Sequence, residues 1–209
     1  MQNRRQILLA PAAFGSLALL PKGARADASA GSVVGISGAC QVERQGRSAP
    51  LKMGDAVAVS DTIAVPADGK LKLRMADGSV ISLAAGTRVT LSAYQSDANG
   101  QRQNTQLTLG EGLLRAVVSP VDHPSTFEVK TAVGTAAVRS TDWFIEAKPG
   151  AAQVGVLSGS VSLASAATGR AVTIPARWGA RLEAGRDPVP ARVWAPEEFQ
   201  AFISRTDLR

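Results

Sequence analysis

Lys70-Leu71-Lys72-Leu73-Arg74-Met75-Ala76-Asp77-Gly78-Ser79-Val80-Ile81-Ser82-Leu83 is the stretch that decides the fold. Leu71, Leu73 and Met75 alternate with Lys70, Lys72 and Arg74, and a period of two puts the apolar set on one face of a β-strand and the cations on the other. Asp77-Gly78 follows at once, a pair that tolerates the positive φ of a tight hairpin turn, and Val80 to Leu83 reads as the returning strand. The cationic stripe is read as a solvated strand face, which also discourages edge-to-edge pairing.

The same arrangement recurs outward along the chain. An apolar pair two residues apart, a glycine three further on and an apolar residue two beyond it occur as Leu73/Met75/Gly78/Val80, Leu107/Leu109/Gly112/Leu114 and Val154/Val156/Gly159/Val161. Each copy reads as a hairpin that returns its inward residue to one core. The unequal spacing of the copies gives no regular solenoid. Further turns are expected at Asp68-Gly69, Asn99-Gly100, Gly110-Glu111-Gly112, Ser158-Gly159 and Thr168-Gly169, with short strands between them. The fold expected is all-β, an antiparallel β-sandwich or jelly-roll-like domain, with an irregular β-roll as the alternative.

The pattern breaks at the C-terminus. Pro196 to Arg205 reads as a short helix, with Pro and two acids in its first turn, Arg205 near its end, and Phe199, Phe202 and Ile203 on one face. That face and Trp194 are expected to cover an open edge or end of the sheet. Pro188, Val189 and Pro190 read as a stiff linker before it.

At the other end, Arg4 and Arg5, an apolar run from Ile7 to Leu20, and Ala24-Arg25-Ala26 before Asp27 make the three parts of an export signal cut after Ala26. The run holds Pro11 and falls short of the ~20 apolar residues that span a bilayer, so no stable membrane span is expected after cleavage. Arg4-Arg5, a spacer and two apolar residues also fit a twin-arginine signal. The division expected is 1–26 export signal, 27–187 β domain, and 188–209 linker and helix. The 209 residues carry a net charge of +6, but Arg4, Arg5, Lys22 and Arg25 lie in the leader, leaving 19 basic against 17 acidic groups. A nearly neutral mature domain without interleaved Arg and aromatic residues argues against nucleic acid as partner. Cys40, the only cysteine, is read as a small buried side chain; Ser37-Gly38-Ala39-Cys40 lacks the apolar residue of a lipid-attachment box.

Catalytic constellations are not found. His123 is the only histidine and sits in Val121-Asp122-His123-Pro124, read as an exposed loop; neither a Gly-x-Ser-x-Gly elbow nor a phosphate-binding loop occurs. Glu128 and Glu146 could pair across strands, although spacing alone supplies no distance. No catalytic residue, metal ligand or cofactor is expected.

Several blocks carry a family resemblance. Gly54-Asp55, Asp61-Thr62-Ile63 and Asp77-Gly78-Ser79-Val80-Ile81-Ser82-Leu83 follow the order of elements in the FecR domain family. Phe127 to Thr131 leading into Ala137-Val138-Arg139-Ser140-Thr141-Asp142 is similar to its most recognisable block, and Val154 to Leu163 resembles its closing hairpin. The resemblance covers about residues 32 to 165. Ser140 stands where family members usually carry Gly, and Ala132 where Pro is frequent. It implies a periplasmic module that senses or relays by protein contact. The sigma-contacting region and membrane helix of the best-known members are not expected in this chain.

The function expected is therefore a periplasmic sensor or adaptor in a Gram-negative type of envelope, not an enzyme, with an unknown envelope protein as partner. The alternative is a lipid- or glycan-binding β module that uses its interior or the cationic strand face. For the partner contact, the sequence points to Arg139, Asp142 and Trp143, because Arg and Trp are enriched at binding hot spots.

Overall fold

The computed structural model describes residues 29–208; Arg4, Arg5, Ala24, Ala26 and the expected cleavage point lie outside them. The described residues form seventeen strands and one helix distributed between two sheets, A and B. β1 (Gly31–Ser37) lies in sheet A, the hairpin β2 (Gln41–Arg44) and β3 (Arg47–Pro50) in B, β4 (Ala56–Val57) in A and β5 (Thr62–Ala64) in B. The hairpin β6 (Lys70–Met75) and β7 (Val80–Leu83) returns to A, and β8 (Arg88–Ser96) to B. β9 (Arg102–Val117) belongs to both sheets. Then follow β10 (Thr126–Lys130) and β11 (Gly134–Val138) in B, and β12 (Asp142–Lys148) and β13 (Ala151–Ser158) in A. β14 (Ser160–Ser165) and β15 (Ala171–Pro175) lie in B, β16 (Trp178–Glu183) and β17 (Arg192–Val193) in A, and α1 is Pro196–Thr206.

Neighbours in each sheet follow the chain almost in order. Sheet A reads β4-β1-β6-β7-β9-β12-β13-β16-β17, and sheet B β3-β2-β5-β8-β9-β10-β11-β14-β15. The chain thus advances sideways while alternating between layers, which is the roll rather than a jelly roll's crossed order. Alternating burial follows directly: Leu71, Leu73 and Met75 from A and Leu107, Leu109 and Val129 from B point into one shared core. All pairings are antiparallel except β9 with β10. That pair is parallel because β9 starts in B and ends in A, so the chain must cross back before β10 can lie beside its first half.

The repeated glycine pattern does not make three hairpins. Only Gly78 turns one, between β6 and β7. At Gly112 the chain continues as one 16-residue strand that bends from sheet B into sheet A, with φ +97 at the glycine. A Cβ there would lie 2.5 Å from Thr87, whose hydroxyl bonds the Leu113 N–H and C=O at 3.1 and 3.2 Å. Gly159, φ +83, is likewise a corner between β13 in A and β14 in B. A positive-φ glycine between inward-facing apolar residues serves a hairpin and an intersheet corner equally well, so the local pattern is the same.

α1 covers the outer face of sheet A rather than a sheet edge. Leu113 and Phe144 point away from the shared core and, with Ala84, form a second apolar cluster with Trp194, Phe199 and Phe202. Phe144 stacks on Phe202 at 4.3 Å between ring centroids, and Trp194 on Phe202 at 5.8 Å. Polar ties hold the helix ends: Arg205 pairs with Glu146 at 2.8 Å, and the Glu198 carboxylate accepts the Ala195 N–H at 2.9 Å. Lys70, expected to face water, donates to the Ser204 and Asp207 carbonyls at 2.9 and 2.8 Å, where the helix end carries partial negative charge.

Candidate functional site

The site is built at the corner where β11 leaves sheet B and β12 enters sheet A, crossed by Arg139, Ser140 and Thr141. The Gly159 corner runs beside it. A Cβ on Gly159 would lie 2.7 Å from the Ser140 carbonyl oxygen, so glycine is what lets the two crossings touch, and the Thr141 hydroxyl donates to the Ser160 carbonyl at 3.2 Å. Ser140 itself keeps a negative φ, so its backbone needs no glycine.

Two adjoining depressions meet at this corner. One, about 540 Å³, runs between the β10–β11 side and Ser160, Ser162 and Thr173; the other, about 320 Å³, lies against the 120–125 loop. Ser125, Arg139 and Ser140 line both. The Arg139 side chain is exposed and makes no ion pair among the described residues, whereas Glu128 in the larger depression is engaged by Gln106 at 3.1 Å. Hydroxyl residues share the larger depression with Phe127, Ala137 and Val138, and the smaller one with Pro120, Val121 and Pro124.

Beneath the corner lies a buried charge cluster. Arg102, on β9, has no exposed surface and pairs with Asp77, which is almost equally buried. Its guanidinium also donates to the carbonyls of Ser119 and Arg139 at 3.1 and 3.0 Å, and lies 5.7 Å from the Phe127 ring centroid. Asp77 in turn accepts from the Ser79 N–H and hydroxyl at 3.0 and 2.8 Å. One cation therefore ties the β6–β7 turn, the 118–125 loop and the backbone of the Arg139 corner together. An unpaired charge here would cost several kcal/mol, so these partners are structural requirements.

The contact residues pointed to by the sequence separate. Arg139 is exposed. Asp142 is half-buried and held by Arg115 in a two-bond pair at 3.0 and 2.9 Å, which raises the Arg115 pKa chiefly through that hydrogen bond. Trp143 is wholly buried in the intersheet core and leaves the contact set, since a side chain without surface touches nothing outside the fold. Arg102 was not legible: it falls in the polar run Gln101-Arg102-Gln103-Asn104, which reads as a solvated turn and strand start.

Other candidates resolve into structure. His123 is half-buried rather than exposed, with Nε2 3.0 Å from the Arg102 carbonyl and Nδ1 3.2 Å from Gln101 Oε1. Glu128 and Glu146 lie on different sheets, Glu146 paired with Arg205 and Lys148, so they form no carboxylate pair. Cys40 is buried, and desolvation pushes its thiol pKa up. Among the described residues no three His, Cys, Asp or Glu side chains are grouped to share a metal ion, and no helix is long and apolar enough to cross a membrane.

A family model described as FecR protein matches residues 61–162. Two crystal structures of a proposed anti-sigma factor from Parabacteroides distasonis ATCC 8503, at 1.65 and 2.50 Å, resemble the chain with TM-scores of 0.56 and 0.57. Each is 16% identical and matches over 68% of this chain and 64% or 63% of its own, so the chain spans under two thirds of their length. At that identity the likeness is one of fold. No curated protein matches.

Proposed function

Residues 61–162 make this chain a member of the FecR domain family, and from that premise we propose that it is a sensor or adaptor of the cell envelope, acting by protein contact. In this reading it is exported through the leader, cut after Ala26, and works in the periplasm. The anti-sigma description of the fold neighbours supports a regulatory rather than a catalytic setting.

The observation that carries the reading is Arg139, an exposed guanidinium without an ion-pair partner among the described residues, at the meeting of two depressions of mixed polar and apolar lining. Arginine is a preferred anchor at interfaces because its planar fork can make several hydrogen bonds at once. Its backbone is held by Arg102 from below, so little order is lost when a partner docks.

The test is cross-linking in intact envelopes with a photoreactive residue at Ser140, and with another at Glu183 on β16 as the control. A single envelope protein captured from Ser140, absent from the control and lost with Arg139→Ala, supports the reading. Equal capture from both positions, or capture indifferent to Arg139, sinks the assignment of the site.

A further inference from the structure

Sheet A outruns sheet B at the C-terminal end of the roll. β15, the last strand of B, passes into β16 of A through the turn Ala176-Arg177, so β16 stands against β15 and β17 adds one strand beyond it. Among the described residues no strand of B lies opposite β17. Trp178 and Val193 face each other across β16 and β17, on the same side as the buried Ala180 and Leu182, yet they are 36% and 60% exposed. Ala191 and, on β15, Val172 pack against the rim of the shared core and are only half-buried.

The edge of β15 beside this gap is unpaired among the described residues. The Ser165 N–H donates to the Arg170 carbonyl at 2.8 Å, and β15 pairs with β14 alone. Alternation along an antiparallel ladder then turns the N–H and C=O of Ala171 and Thr173, and the C=O of Pro175, away from β14. A row of backbone donors and acceptors therefore borders an apolar floor one strand wide, ~4.8 Å.

We propose that this gap receives an acidic extended segment of a partner protein as an added strand of sheet B. The segment matches the five residues of β15, and its alternate apolar side chains rest on Trp178 and Val193. Charge selects the acidic partner. Residues 170–192 carry five arginines against Glu183 and Asp187, in a mature domain that is otherwise nearly neutral. Arg170 and Arg177 flank β15. Arg170 holds Asp187 at 3.5 Å in an exposed pair, which is worth little, and Arg177 makes no ion pair among the described residues. Arg177 also keeps φ +68, where glycine would be unstrained, so the chain carries a cation there at a conformational cost. A second copy of the roll does not fit, because its own β16 stands behind its β15, in the space that β17 fills.

The test titrates the chain from Asp27 against a labelled eight-residue peptide of alternating glutamate and valine, and against its lysine counterpart. Saturable binding is expected, at least tenfold tighter for the glutamate peptide, with amide exchange at Ala171 and Thr173 slowed at least tenfold. Thr173→Pro removes an outward donor without touching the β14 ladder, and Val193→Asp puts a carboxylate on the floor; each should weaken binding at least tenfold. Arg177→Gly should weaken it at least threefold without loss of stability. Arg139→Ala should leave it unchanged, which separates this gap from the Arg139 contact. No saturable binding, equal binding of the lysine peptide, unchanged exchange at the two amides, wild-type binding by Arg177→Gly, or loss of binding with Arg139→Ala overturns the proposal.

Discussion

Arg102 and Asp77, 25 residues apart in the chain, are ion-paired in the interior with 0% and 1% of their side chains exposed. The pair joins the β6–β7 turn to the backbone behind Arg139. Removing either partner strands the other charge away from water, which costs about 3–5 kcal/mol. Asp77→Ala and Arg102→Met are each expected to lower unfolding free energy by about that amount in urea titrations. A loss below about 1 kcal/mol in both would show the pair to be dispensable.

Arg139→Ala is expected to abolish capture of the envelope partner while changing stability by no more than about 0.5 kcal/mol, because the side chain is exposed and unpaired among the described residues. Asp142→Ala behaves differently. It leaves the half-buried Arg115 without its two charged hydrogen bonds, so a loss of about 1–2 kcal/mol is expected in the same titration. If Arg139→Ala melts the protein and Asp142→Ala does not, the roles given to the two residues are reversed.

Gly155 and Gly179 are sockets for the aromatic cover of sheet A. A Cβ at Gly179 would lie 2.0 Å from the Trp194 indole, and one at Gly155 2.3 Å from the Phe144 ring. Gly179→Ala must push Trp194 outward, at a cost of about 1–3 kcal/mol. Red-shifted tryptophan emission and faster proteolytic release of the C-terminal segment are expected. Unchanged emission and release would mean that the cover adapts without loosening.

The start of α1 should respond to acid. Arg192 first, and then the Ala195 N–H, hold the Glu198 carboxyl below the usual range, so its folded pKa lies under its unfolded one. The contribution is complete above the ordinary glutamate value of about 4.3 and is lost as pH falls through the lowered folded value. Cleavage at Phe199 or Phe202 by an acid protease is expected to accelerate only below pH ~4. Glu198→Gln should remove that pH dependence; a wild-type-like profile for the variant assigns the effect elsewhere.

Export is checked by fractionation. A periplasmic protein beginning at Asp27 is expected, and Arg4→Lys with Arg5→Lys should trap the precursor in the cytoplasm. Full-length protein fixed in the inner membrane would contradict cleavage, while normal export of the double variant would assign the general secretion route.

Much of the fold was legible in residues 70–83. Alternation identified which of Lys70 to Met75 face inward, and Asp77-Gly78 marked a true hairpin. The other two copies of the glycine pattern carried the same local information and became corners. At Gly112 and Gly159 the inward residues do reach the common core, but across two sheets. Of the residues that the sequence singled out for contact, Arg139 is exposed at the corner between the sheets, whereas Trp143 is buried, a residue type shared by interfaces and cores.

Strand character, the inward face of β6 and the positive φ of Gly78, Gly112 and Gly159 follow from the sequence by itself, since backbone sterics and a period of two act over a few neighbouring residues. Which strand lies beside which, whether a glycine closes a hairpin or carries the chain between sheets, and whether Arg102 or Lys70 meets water were decided only by the tertiary structure. Those outcomes depend on groups tens of residues away, such as Asp77 for Arg102 and the α1 carbonyls for Lys70. A long cation is stable in either setting provided that its partner is there.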